Sequence, residues 1–391
     1  MTQTSVASPA ACPLCGSQAL TPVLERTGVP VFQNALLATA AAARAAPRGD
    51  LALLRCGDCG FTHNHAFNPQ LIAYGADYEN DQSLSRTFAR HLDAMADRVI
   101  GALPVGATVL EVGCGQGGFV RRLAQRGPGR LRAALGFDPA YRGPREPEPG
   151  VRFEASLFDR QAAASVPGGV DAVVSRHVIE HVSDPVGFIA AIRAALGTES
   201  EARLFVETPT VDWIFAGTVL QDVFYEHCNY FTADTLHATL QAGGFIVDQM
   251  DCVFDGQYLW AEARAGAPVP VPRAAGDGQA AMRYAAAVTA EIAHWQAQLQ
   301  RGSPTVVWGA GAKGVTFATT IDPDATLIAG LIDMNPGKQG RFVPVSGHPV
   351  YAPAALPMLA PRQIVIMNPN YRAEIAADVA ALGITADILD G

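Results

Sequence analysis

Short apolar runs alternate with amphipathic stretches along most of the chain. Between positions 107 and 250 the runs are "ATVLEVG", "RAALGFD", "VDAVVS", "ARLFVET" and "GFIVDQM". Runs this short, separated by about 10–15 residues of helical pattern, predict strands of a mostly parallel sheet with helices on both faces. Then comes "ARAGAPVPVPRAAGDGQ" (263–279), rich in Pro, Gly and Ala, which reads as a linker. A helical pattern, "AAMRYAAAVTAEIAHWQAQLQ", follows. A second strand–turn–helix opens at "TVVWGAGAKGVTFATTI" and continues through "TLIAGLIDMNP" and "RQIVIMNPN". The pattern therefore predicts an α/β chain in four parts. They are a small cysteine-bearing module over 1–70, an α/β domain over 71–265, a linker and helix over 266–300, and a second Rossmann-like domain over 301–391. The Ala-rich "ALLATAAAARAA", which carries Arg44, reads as a helix of a soluble protein.

Composition narrows the partners. At 391 residues the chain has room for two to three domains of ~150 residues each. Charged residues make up 17% and hydrophobic ones 49%, enough apolar material for large cores. A net charge of −9 argues against nucleic acid, which needs a basic face. The N-terminal "MTQTSVASPAACPLCG" lacks a charged segment followed by an apolar run, and no stretch reaches the ~18 apolar residues of a membrane span. The expectation is a cytoplasmic protein with no membrane partner. Its seven cysteines would then be ligands, chemistry or core rather than disulfides.

Four of those cysteines form two Cys-x-x-Cys pairs, each trailed by glycine: Cys12 and Cys15 in "CPLCG", Cys56 and Cys59 in "CGDCG". Each tight turn brings two thiolates together, which suits a tetrahedral zinc with all four positions filled and hence a structural role.

"VLEVGCGQGGF" puts Gly113, Gly115 and Gly117 directly after a strand that ends near Glu111. Glycines there let the backbone turn sharply and approach a ligand closely. The form looks like the first motif of class I methyltransferases that use S-adenosylmethionine. That resemblance implies a cofactor site of Glu111 and the three glycines, with Asp138 after "LGF" for the ribose hydroxyls. Leu157 and Phe158 in "EASLFD" would flank the adenine.

"HVIEH" (177–181) matches a His-x-x-Glu-His metalloprotease pattern, but that chemistry needs both histidines on one long helix. Here it follows a predicted strand directly. Class I methyltransferases carry such a segment beside the cofactor and acceptor, which would put His177 near the cofactor and His181 towards the acceptor.

The second glycine loop, "VVWGAGAKG", spaces Gly309, Gly311 and Gly314 as a dinucleotide fingerprint, with Asp333 about twenty residues on. Lys313 within it could meet a phosphate. A dinucleotide site, a sugar-nucleotide or other substrate site and a purely structural domain all remain open from the residues alone.

"VFYEHCNYFT" (223–232) sits between a predicted strand and a helix opened by Thr232, beyond the carboxyl end of the sheet where ligands bind in open α/β folds. Its aromatics could equally be a packing cluster. Taken in order, the cysteine quartet, the first glycine loop and "GAGAKGVT" resemble the C-methyltransferases of deoxysugar biosynthesis over nearly the whole chain. Those enzymes methylate carbon 3 of a 4-keto nucleotide sugar. The resemblance implies His227 as general base, Glu226 behind it, Tyr78 in "DYENDQSLS" or Tyr225 as donor to an oxyanion, and His181 as a further active-site histidine. It also implies a C-terminal domain that closes over the substrate without binding a dinucleotide. Gly311, Lys313 and Asn335 are its candidate substrate contacts. Phe224 stands where the family's motif tyrosine aligns, with Tyr225 one position later. An O- or N-methyltransferase for another small metabolite, and a binding protein with a vestigial site, are the competing expectations.

Overall fold

Residues 11–72, 84–166, 168–197 and 200–391 are described by a computed structural model of the chain, and they build three sheets. The first holds β1 (Leu20–Pro30), β2 (Arg48–Cys56) and β3 (Thr62–Asn64), all antiparallel. Cys12 and Cys15 precede β1, while Cys56 ends β2 and Cys59 lies in the turn to β3. Of the Ala-rich stretch only Ala40–Arg44 is helical, capped by Thr39. Just ahead of it, Leu37 bridges to Phe342 near the other end of the chain.

The second sheet follows the predicted runs: β4 (Ala107–Val112), β5 (Leu131–Phe137), β6 (Val151–Glu154), β7 (Ala172–Arg176) and β8 (Arg203–Pro209) are parallel. The two-residue β9 (Asn229–Tyr230) leaves this domain and pairs with β3, completing the first sheet. β10 (Phe245–Val253) and β11 (Tyr258–Ala265) return to the second sheet as a hairpin, so β11 runs antiparallel to both neighbours. Four residues join the two strands, and Phe254, Asp255 and Gly256 there all have positive φ. A parallel pairing would need a crossover of about a dozen residues. The resulting order is β10-β11-β8-β7-β4-β5-β6. Connections turn in opposite directions at β4, so the crevice beyond the carboxyl ends of β4 and β7 is the place for a ligand.

The third sheet is parallel throughout, in the order β14-β13-β12-β15-β16: β12 (Thr305–Trp308), β13 (Ile328–Ile332), β14 (Val350–Tyr351), β15 (Gln363–Ile366) and β16 (Asp387–Asp390). The helix Gln279–Gln300 is the seam. Its Tyr284, Val288 and Trp295 share one apolar cluster with Val23 and Leu53 of the first sheet, Val211 and Tyr230, and Val307 and Leu331 of the third. Removing these side chains from water is worth roughly 25 cal/mol per Å² and fixes the three parts against one another. Among the described residues, no helix is long and apolar enough to cross a membrane.

Candidate active site

The four cysteines come together as their spacing predicts. Cys12 Sγ lies 3.7 Å from Cys59 Sγ, and Cys15 Sγ 3.6 Å from Cys56 Sγ. A tetrahedral zinc with Zn–S of about 2.3 Å needs sulfur atoms about 3.8 Å apart, so the residues present fit the ion. All seven cysteines are unbridged.

At the end of β4 the chain turns through Gly113, Gly115 and Gly117, with φ of +77°, +54° and +80°. A side chain on Gly113 would meet Val178, and one on Gly117 would sit 2.2 Å from the Phe153 ring. Gly115 faces open space. Asp138 holds the turn in shape: its Oδ2 accepts from the Gly115 amide at 2.8 Å and its Oδ1 from Ala140 at 2.7 Å. Each oxygen keeps a second lone pair for a ligand hydroxyl. Burial pushes the Glu111 carboxyl up to about 7, and its Oε2 has no hydrogen-bond partner. An open glycine turn, an acidic clasp and an orphaned buried oxygen fit S-adenosylmethionine. Leu157 is 75% exposed, whereas Phe158 is buried against Phe137. Gly117→Ala should lose cofactor binding by calorimetry and lower the melting temperature. The left-handed backbone alone costs about 1–2 kcal/mol, before the clash with Phe153.

A cavity of about 280 Å³ lies between the second and third sheets. Three histidines line it: His177, His181 and His227. Two loops bring them there. His177 follows β7 with a positive φ of 53° and donates its backbone N–H to the Glu207 carbonyl. "HVIEH" does not continue as a helix: Ile179–His181 is a single tight turn. The 223–232 stretch then grips that turn. His181 Nδ1 hydrogen-bonds the Glu226 carbonyl oxygen at 2.9 Å, the Cys228 amide donates to the Glu180 carbonyl at 2.9 Å, and the Asn229 side chain donates to the carbonyls of Ile179 and Val182. The His181 and His227 rings meet edge-on, centroids 4.8 Å apart, and the Phe224 ring lies 4.0 Å from His227. Burial, and the neighbouring His181, hold the His227 ring well below its usual range, so it is neutral. Burial lowers His181 as well.

The other sequence-nominated residues are distributed unevenly. Glu226 is next to His227 in sequence, but its carboxylate Oε2 accepts the Gln33 amide at 2.8 Å, from the loop after β1. Tyr225 is fully buried and its hydroxyl accepts from the Asn68 amide, so it does not line the cavity. Tyr78 lies outside the described residues. Gly311, Lys313 and Asn335 do line the cavity. The Lys313 ammonium already pairs with Asp222 at 2.7 Å and lies over the Trp213 ring. Asn335 and Ala310 donate their amides to Asp333, the same clasp that Asp138 makes on the first glycine turn.

Three further residues take no role from their sequence motifs, although Glu180 stands within "HVIEH". Glu180 is buried, and its Oε2 accepts from the Thr208 hydroxyl at 3.0 Å. Burial alone would raise this carboxyl, but His177, His181 and His227 outweigh it and hold it at about 2. One oxygen of Glu180 and one ring nitrogen each of His181 and His227 lie within 4.8 Å of one another, a set that could also hold a metal ion. Glu207 is buried between Arg176 and His91, which keep it ionised against its burial. Lys338 is 5% exposed and lies against the second glycine loop, its Nζ 3.2 Å from the Ala310 carbonyl.

The first sheet holds the histidine-bearing stretch in place. β3 pairs with β9, the Asn64 amide donates to the Cys228 carbonyl, and the Arg26 guanidinium donates to the carbonyls of Leu220 and Val223.

Two family models match the α/β parts of the chain. The family described as "Methyltransferase domain" matches residues 81–250, and "C-methyltransferase C-terminal domain" matches residues 281–385. A ubiquinone biosynthesis O-methyltransferase of Pseudomonas paraeruginosa is 36% identical over 88 residues, 22% of this chain. The matched region spans 38% of that relative's length. Among solved structures, the N-methyltransferase NodS of Bradyrhizobium japonicum is 16% identical, covering 46% of this chain and 98% of that one with a TM-score of 0.34. The 1,6-didemethyltoxoflavin-N1-methyltransferase of Burkholderia thailandensis is 18% identical, covering 45% and 77%, with a TM-score of 0.31.

Proposed function

We propose that this S-adenosylmethionine-dependent methyltransferase methylates the carbon α to a ketone in a small-molecule acceptor, a nucleotide-linked keto-deoxysugar, with His227 as the general base. The observation that carries the reading is a neutral, nearly buried histidine on the wall of a cavity shared with the matched C-methyltransferase C-terminal domain.

When bound, S-adenosylmethionine supplies an electrophilic methyl sulfonium. Glu111, the glycine turn and Asp138 would hold it at the carboxyl end of β4. A neutral imidazole can take the α-hydrogen as a proton, which leaves the electron pair on the acceptor as an enolate. Phe224 packs on the His227 ring and restricts its rotation. Tyr258 and Tyr371 also line the cavity, and burial keeps both phenols protonated, so they are available to donate to an enolate oxygen. On the far side, Gly311, Asn335 and the buried Lys338 offer a polar wall for the nucleotide end, with Lys313 paired to Asp222.

A wild-type enzyme given a nucleoside-diphosphate 4-keto-deoxysugar in heavy water, without methyl donor, should exchange the α-hydrogen for deuterium. Product formation with donor, but no exchange without it, would remove the support for a stepwise enolate. The O-methyltransferase match leaves a second reading, transfer to a hydroxyl through the same histidine. A new O–CH3 rather than C–CH3 signal in the product NMR spectrum would favour it.

A further inference from the structure

We propose that Glu180 is the carboxylate that charge-compensates the His181–His227 pair, so that the proton leaving the acceptor arrives beside an anion already in place. The inference rests on the base assignment above. The family motif points to Glu226, but the Glu226 carboxylate is directed to the Gln33 amide. Glu180, by contrast, lines the cavity with both histidines. Its Oε2 is anchored by Thr208, while Oε1 has no hydrogen bond and lies 3.4 Å from His177 Nδ1. The backbone of the turn is itself clasped by Cys228 and Asn229, so the carboxylate is positioned by the segment that carries His227.

The physical need is plain. Around His227 stand His181 and Glu180 from the turn after β7, His177 directly after that strand, and Lys313 from the helix Ala312–Ile321 that follows β12. His177, His181 and Lys313 oppose protonation of the ring, as does burial, and Glu180 alone of these favours it. In the step, the acceptor C–H bond breaks, its proton goes to a His227 ring nitrogen, and the electron pair stays on the acceptor as enolate. A buried imidazolium would be costly beside two histidines and a lysine. Next to an ionised carboxylate it becomes half of an ion pair. His181 Nδ1 is engaged by the Glu226 carbonyl, which fixes that ring while Glu180 supplies the charge.

The test is the pH profile of Glu180→Gln, with Glu180→Asp and His227→Ala alongside. Removing the anion makes His227 harder to protonate. The acidic limb of kcat/KM should therefore move to lower pH by about one unit or more, and plateau kcat should fall roughly 10²-fold. KM for the acceptor and the dissociation constant of S-adenosylmethionine should not change. Glu180→Asp keeps the charge and should keep the limb near wild type. An unmoved limb in Glu180→Gln, with His227→Ala inactive, overturns the role of Glu180 and leaves the base intact. Full activity in His227→Ala overturns the base reading itself. Recovery of Glu180→Gln turnover on adding zinc or manganese also overturns the proposal, since the carboxylate would then be a metal ligand. Should the glutamine variant not fold, carboxyl 13C NMR of the wild type decides. Glu180 should be ionised at neutral pH, and a protonated carboxyl there is the contrary result.

Discussion

His227→Ala is expected to lower turnover by about 10³-fold while leaving S-adenosylmethionine affinity unchanged. A positioned general base contributes about 10²–10⁴ in rate, and removing it takes that factor from the chemical step. Burial keeps the ring neutral, so the proposed base would be ready at neutral pH in the wild type and lost only as pH falls through its depressed value. The proposed cofactor residues Gly113, Gly115, Gly117 and Asp138 sit on different strand ends, after β4 and β5. Calorimetry on the variant should thus return the wild-type dissociation constant. A His227→Ala enzyme with unimpaired turnover would end the assignment, and one that also fails to bind cofactor would show that the histidine loop supports the cofactor site.

The second large effect should come from the cysteine quartet. Metal analysis should find about one zinc per chain, and Cys56→Ser or chelation should abolish methyl transfer although every group near the chemistry is retained. Structural zinc in small modules is worth on the order of 10 kcal/mol, so the first sheet should loosen without it. Its β3 pairs with β9, its Asn64 donates to the Cys228 carbonyl, its β1 carries Arg26, and the loop after β1 supplies the Gln33 amide. Losing it frees the stretch that places His227 against His181. A displacement of about 1 Å at a catalytic group can cost about 10²-fold. On their other face the parallel strands β4 to β8 pack a core that holds no residue of the cysteine module, with Val109, Val174 and Phe205, and should keep cofactor binding. Metal-free protein that turns over normally would show that the quartet is only an appendage.

Much of this architecture was legible locally. Apolar runs of strand length, a glycine turn after the first of them and a second such turn near residue 309 specify two mostly parallel α/β sheets, because each is a short-range rule about burial and backbone freedom. The cysteine spacing was readable for the same reason: a Cys-x-x-Cys turn is built from adjacent residues. The Ala-rich stretch was over-read, since helix propensity favoured a longer helix than the Ala40–Arg44 turn that the bridge from Leu37 to Phe342 leaves room for. The β10–β11 hairpin was missed as well, because its antiparallel direction lies in a four-residue turn rather than in the strands.

The active site divides along the same line. Sequence by itself determined which residue types were present: His181 and His227, an acid beside each, glycines after the strands, four thiols in two turns. It could not determine which acid serves which histidine. Glu226 is covalently next to His227 yet its carboxylate leaves for Gln33, while Glu180, 47 positions from His227, has an oxygen within 4.8 Å of the histidine nitrogens. Neither could it show that a two-residue strand, β9, would tie the cysteine module to the stretch that carries His227. Those choices depend on side-chain direction and on pairing between distant segments. Such contacts form only once the cores around Tyr284 and Leu110 have closed, which is why the tertiary structure decided them.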